Sequence, residues 1–260
     1  MAMAVRLWLV ALCLLALPAW AAPLAERPKL VLIIDDMGLS LERGRAALAL
    51  PGPITYAVLP FRPHSRELSL EATSEGKEVI LHAPMENMRH LKLGPGALTP
   101  QQSREQMQQQ LNAALDSIPE AIGVNNHMGS LLTQLDEPMS WVMEVIHNRG
   151  LFFIDSRTTA DTRAMAVAHS AGVPSVERNV FLDNDLSVEA ITHEFQRAVD
   201  LALTEGRAVV IGHPHPQTIS VLQTMLPTLG ELGIVQMSAA AYLNEIEDAQ
   251  RRLLARQTAH

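Results

Sequence analysis

Short apolar, β-branched runs alternate with stretches of helical spacing along most of this chain. The first run lies in KLVLIIDDMG (29–38), where five apolar residues lead directly into Asp35 and Asp36, and Gly38 then lets the backbone turn. A run this short and bounded by turn residues predicts a strand buried on both faces. Helical spacing over 39–50 stops at Pro51-Gly52, and PITYAVLPF predicts a second strand. A helix over 65–75 leads through Gly76 into KEVILH, the third strand, and residues 87–96 lack periodicity and read as a loop. Thr99 followed by Pro100 predicts the cap and first turn of an amphipathic helix reaching Ile118, with Met107, Leu111 and Leu115 on its apolar face.

AIGVNNHMGS then reads as a fourth strand, 139–150 as a helix stopped by Gly150, and LFFIDS as a fifth strand. A helix over 161–171 precedes two short strands, 173–176 and 180–182. The remainder reads as a helix over 188–204, the strand AVVIG, a helix from Gln217, the strand GIVQM and a last helix over 238–254. Strand and helix alternate with short connections and no Pro/Gly/Ser linker, which predicts one α/β domain over residues 22–260, as an open sheet or a barrel. No glycine-rich phosphate loop follows the first strand, so nucleotide binding loses its main support and the barrel is preferred.

Polar, metal-capable groups recur at one end of these strands: Asp35 and Asp36, His82, His127, Asp155, then His213 and His215. In barrels of parallel strands that end carries the chemistry. His64, His90, His147, His169, His193 and His260 lack this setting and read as surface or structural residues.

The N-terminus changes the picture of where the protein works. MAMAVRLWLVALCLLALPAWAAP has one early positive charge, an apolar run over 7–17 and a small-residue site around Ala21, which predicts a signal peptide over residues 1–21 and a periplasmic or secreted product. The apolar run is shorter than the roughly 20 residues of a membrane span, so no stable span is expected after cleavage. Cys13, the only cysteine, lies in this segment, leaving a mature chain held by its core without disulfides. Loss of Arg6 takes the 20 basic residues to 19 against 28 acidic ones, a formal charge of −9. With no basic cluster either, nucleic acid is not expected as a partner.

One carboxylate and two imidazoles form a facial set suited to Zn²⁺ or another divalent ion, and Asp36, His82 and His127 supply such a set from three strand ends. Asp35 is placed to take a proton from water, whose pKa a bound Zn²⁺ lowers to about 7. His213 or His215 is placed to protonate a leaving group.

The blocks IIDDMG, TYAVLPF, GKEVILHAPM, AIGVNNHMGS, FFIDSRT, RNVFLDN and IGHPHPQTI resemble those of the divergent polysaccharide deacetylase family, in family order and over nearly all of the mature chain. The resemblance implies a deformed (β/α) barrel of the NodB-like type and a metal-dependent hydrolase acting on acylated carbohydrate. It implies Asp35 as base, Asp36 and His82 as ligands, and His213 as acid with His215 as alternate. Better-known deacetylases of the superfamily carry a second ligand histidine four residues after the first; here that position is Glu86, so either Glu86 or His127 completes the set, and His127 is preferred. The expected function is an exported deacetylase of a cell-envelope glycan; the alternative is a non-catalytic glycan-binding or envelope-assembly protein on the same barrel.

Overall fold

The computed structural model describes residues 27–258; the expected signal peptide with Cys13, and His260, lie outside the described residues. The chain runs through β1 (Lys29–Met37), α1 (Leu41–Leu48), β2 (Thr55–Val58), α2 (Ser65–Ser74), β3 (Glu78–Met85) and α3 (Arg104–Ser117). It continues through β4 (Gly123–Met128), α4 (Asp136–Asn148), β5 (Phe152–Asp155), α5 (Ala164–Ser170), β6 (Ser175–Glu177) and β7 (Val180–Phe181). α6 (Val188–Glu205), β8 (Arg207–Gly212), α7 (Pro216–Met225), β9 (Val235–Met237) and α8 (Ala239–Thr258) complete it.

The strands pair in parallel in the order β6-β5-β4-β3-β2-β1-β8-β7, with β9 beside the first residues of β1. One extended stretch joins the two edges of this order. Its residues Ser175–Glu177 pair with β5 and Val180–Phe181 with β8. Between them Arg178 N donates to Asp155 O and Asn179 N to Val209 O. The sheet therefore curls into a deformed (β/α) barrel, as the family resemblance implies.

Strand alternation divides the apolar side chains into two cores. Leu30, Leu32 and Ile34 of β1 join the larger core under the helices, with Leu81, Val124, Phe153 and Val210. Val31 and Ile33 face the barrel interior, with Ala57, Ile80, Ile154, Val209 and Ile211. Each Val, Leu, Ile or Phe among them, fully buried, contributes about 1.5–3 kcal/mol. The first turns of α8 plug the interior through Ala239, Tyr242 and Leu243. Its orphan amides are met by the first residues of two strands: Ala239 N donates to Thr55 Oγ1 at 3.0 Å and Ala240 N to the Glu78 carboxylate at 3.2 Å. A carboxylate at a helix N-terminus is favourably placed. The strands' N-terminal mouth is thereby stoppered.

Three helix starts differ from the sequence expectation. α3 begins at Arg104 instead of Pro100, because Ser103 Oγ accepts from Gln106 N while Gln106 Oε1 accepts from Ser103 N at 2.9 Å, a reciprocal capping box. Thr99 and Gln102 form a turn ahead of it. α5 begins at Ala164 because Thr162 Oγ1 accepts from Ala164 N and donates to Asp155 Oδ2. α4 begins three residues early, with Asp136 and Glu137 in its first turn complementing the helix dipole.

Candidate functional site

At the open mouth, alternation decides which side chains enter the barrel. Asp35 shares the inward parity of Val31 and Ile33, and it is 2 % exposed. Asp36 would then point outward, but its φ of +56° and a register irregularity between Ile34 and Met37 against β2 turn its carboxylate back toward the mouth. Aspartate tolerates the left-handed region better than most residues, at a cost of about 1–2 kcal/mol. The two adjacent carboxylates thus serve the same site from one strand end.

His82 follows Ile80 on the inward face of β3, and Asn125 and His127 share the inward face of β4. His127 Nδ1 lies 3.0 Å from Asp36 Oδ1 and 3.1 Å from His82 Nε2, and His82 Nε2 lies 3.3 Å from Asp36 Oδ1. Asp36 Oδ1 is buried, and neither imidazole is aligned to donate to it as a hydrogen-bond partner. Donors held about 2.1 Å from one ion at angles between 90° and the tetrahedral value stand about 3.0–3.4 Å apart. The triangle of Asp36, His82 and His127 fits that requirement on every side.

Carboxylate and imidazole charges stabilise one another across this cluster. Burial alone would raise the Asp36 pKa, but the His127 and His82 imidazoles hold it well below the usual carboxylate range. Burial opposes charge on His82, yet Asp35 and Asp36 outweigh it and raise the His82 pKa. For Asp35 burial wins and the pKa is raised, with His82 and His213 pulling the other way. Asp35 Oδ2 lies 3.7 Å from His82 Nε2, beside the triangle but outside it.

His213 lies just beyond β8 on its inward parity. Its Nδ1 is 2.9 Å from Asp183 Oδ1, while Asp183 Oδ2 accepts from the His213 amide at 2.6 Å and from Thr218 Oγ1 at 2.8 Å. Burial lowers the His213 pKa, but Asp183 chiefly, with Asp35 and Asp36, pushes it up to about 9. His215 caps α7, its ring centroid 5.9 Å from that of His213. A cavity of ≈ 50 Å³ is lined by Asp36, Ser40, Arg43, His213 and His215. A larger one, around Arg207 and Tyr242, belongs to the opposite mouth.

Two strand-end carboxylates stay out of the cluster. Glu86 Oε1 accepts from Asn87 N at 2.9 Å and faces His90 Nδ1 at 3.8 Å, so the structure brings His127, and not Glu86, to Asp36 and His82. Asp155 has the outward parity of Phe153 and accepts from Arg157 N and Thr162 Oγ1, tying down its loop. Conversely, sequence reasoning passed over Asp183 and Asn125. Asp183 follows the apolar residues 180–182 as Asp35 follows its own run, and that signal was readable.

Comparison with known proteins finds relatives of this chain. The model of the family described as divergent polysaccharide deacetylase matches residues 32–243. The uncharacterized protein YibQ of Escherichia coli (strain K12) is 39 % identical over 217 residues, 84 % of this chain and 68 % of that one. The crystal structure of uncharacterized protein ATU2773 from Agrobacterium tumefaciens C58 superposes with a TM-score of 0.80 at 21 % identity, covering 84 % of this chain and 90 % of that one. Peptidoglycan deacetylase PdaC from Bacillus subtilis superposes with a TM-score of 0.53 at 14 % identity, covering 89 % and 97 %. At those identities the two structures speak for the fold.

Proposed function

The chain belongs to the divergent polysaccharide deacetylase family, and from that premise we propose that it is an exported, metal-dependent hydrolase removing acyl groups from a cell-envelope polysaccharide or glycan. The observation that carries the reading is the triangle of donor atoms 3.0–3.3 Å apart, with the buried Asp35 on one side of it. Asp36, His82 and His127 are the residues that would hold a divalent ion, and one carboxylate with two imidazoles suits Zn²⁺. Bound there, the ion would supply Lewis acidity and make water acidic enough to react near neutral pH.

The chain's own residues then divide the proton work. Asp35, its pKa raised by burial, takes the proton as water attacks the acyl carbonyl carbon. His213, kept protonated near neutral pH by Asp183, gives a proton to the amine nitrogen or hydroxyl oxygen that leaves as the acyl bond breaks. The family supports a carbohydrate substrate.

A second reading, a non-catalytic glycan-binding or envelope-assembly protein, draws support from Glu86, which stands where better-known deacetylases of the superfamily carry a second ligand histidine. Metal analysis together with acetate release from N- and O-acetylated oligosaccharides separates the two. Equimolar metal and chelator-sensitive release support the hydrolase; glycan binding without release supports the alternative.

Export is part of the proposal, through the segment 1–21. Among the described residues no helix is long and apolar enough to cross a membrane. N-terminal sequencing of protein from the envelope fraction should find a start near Ala22, and an intact Met1 on membrane-bound protein would replace this with a tethered form.

A further inference from the structure

Asn125 is fully buried on β4 and touches two functional groups from different parts of the barrel. Its Nδ2 donates to Asp35 Oδ1 at 2.7 Å, across the interior to β1, and its Oδ1 lies 2.7 Å from His82 Nδ1 on the neighbouring β3. The direction of these bonds follows from chemistry. An ionised carboxylate only accepts, so the amide must present its N–H to Asp35. The amide oxygen then faces His82, and the nitrogen opposite it must carry the hydrogen. An imidazole with its hydrogen on Nδ1 offers a lone pair at Nε2, the atom that faces Asp36 and His127.

We propose that Asn125 is a positioning residue that fixes His82 as an Nε2 donor and holds the Asp35 carboxylate in place with the same side chain, coupling the metal-holding half of the site to its proton-accepting half. This rests on the hydrolase reading of the site. The choice of an amide is itself informative. Aspartate at 125 would still accept from His82 but would set two carboxylates against each other in a buried place. Leucine, of similar volume, would leave both His82 Nδ1 and Asp35 Oδ1 without partners.

The two substitutions therefore separate the functions. In Asn125→Leu the metal affinity should fall about 10–100-fold, the usual cost of losing an outer partner of a ligand histidine. In Asn125→Asp it should stay within about threefold of wild type while kcat falls about 100-fold or more and KM changes little. A merely structural role would lower metal affinity, kcat and Tm together in both variants. Nuclear magnetic resonance of the ring nitrogens adds a readout free of turnover: His82 Nδ1–H should be protected from solvent exchange in wild type and lose that protection in Asn125→Leu. Absence of a protected His82 Nδ1–H in wild type overturns the inference, even if neither variant folds. Unchanged metal affinity in folded Asn125→Leu, or full kcat in Asn125→Asp, overturns the coupling alone. Wild-type protein that takes up no metal overturns the hydrolase reading and the coupling together.

Discussion

Asp183 grips His213 at two points, with Oδ1 2.9 Å from the ring Nδ1 and Oδ2 2.6 Å from the backbone amide. The ring is thereby fixed through its Nδ1, and its charge is stabilised against burial until about pH 9. A histidine whose folded pKa exceeds its ordinary 6.5 stabilises the fold fully below that ordinary value, and the contribution disappears as pH rises through about 9. For His213 this amounts to about 3 kcal/mol. Urea denaturation of metal-stripped protein should show that loss between about pH 6.5 and 9. Asp183→Asn should remove the His213 share and so flatten the slope, leaving the contributions of the other buried groups with raised pKa values, His82 among them. An identical slope in wild type and Asp183→Asn would refute the pairing.

The choice between Glu86 and His127 yields a sharp contrast in metal content. Glu86 is engaged with Asn87 N, whereas His127 stands 3.0 Å from Asp36 Oδ1. Glu86→Gln should therefore keep an equimolar divalent ion. His127→Ala and Asp36→Asn should weaken binding beyond the 10–100-fold cost of disturbing an outer partner. Elemental analysis and competition titration measure both. Metal retained by His127→Ala and lost by Glu86→Gln would reassign the third ligand.

The left-handed backbone of Asp36 makes a prediction about stability, independent of chemistry. Asparagine tolerates φ near the observed +56°, while a β-branched residue does not. Asp36→Val should unfold at lower urea than Asp36→Asn by about 1–2 kcal/mol from the backbone alone. Equal midpoints for the two metal-free variants would show that the turn relaxes at no cost.

Much of this site was legible because an apolar strand ending in a polar group declares both its position and, through the period of two, its direction. Asp35, His82, His127 and His213 all lie on the inward parity of their strands. The same parity, applied to β5, excludes Asp155 through Phe153 and Ile154. Residue type singled out Asp36, but strand alternation alone would send it outward; the left-handed turn brings its carboxylate beside His82 and His127. Asn125 depends on a contact across the barrel with a partner 90 residues away, which no local pattern encodes, whereas Asp183 carries the same strand-end signal as Asp35 and only its pairing with His213, 30 residues on, needs the fold. The order of elements was equally readable, while the start of α3 was decided by competition between two capping signals, Thr99 and Ser103, that propensity ranks close together.

Acetate release from N- and O-acetylated envelope glycans, compared between wild type and Asp35→Asn with added Zn²⁺, Co²⁺ or Mn²⁺, bears on all of this at once. Asp35 stands beside the donor triangle without belonging to it, so its substitution should leave the metal equimolar and the fold intact. Removal of a positioned base typically costs about 10²–10⁴-fold in rate. Wild type should release acetate in a metal-dependent manner, and Asp35→Asn should release it at least about 100-fold more slowly while holding the same ion. Background release by both proteins on every substrate and with every metal, accompanied by saturable glycan binding by both, would contradict the hydrolase and leave a binding protein on a deacetylase barrel.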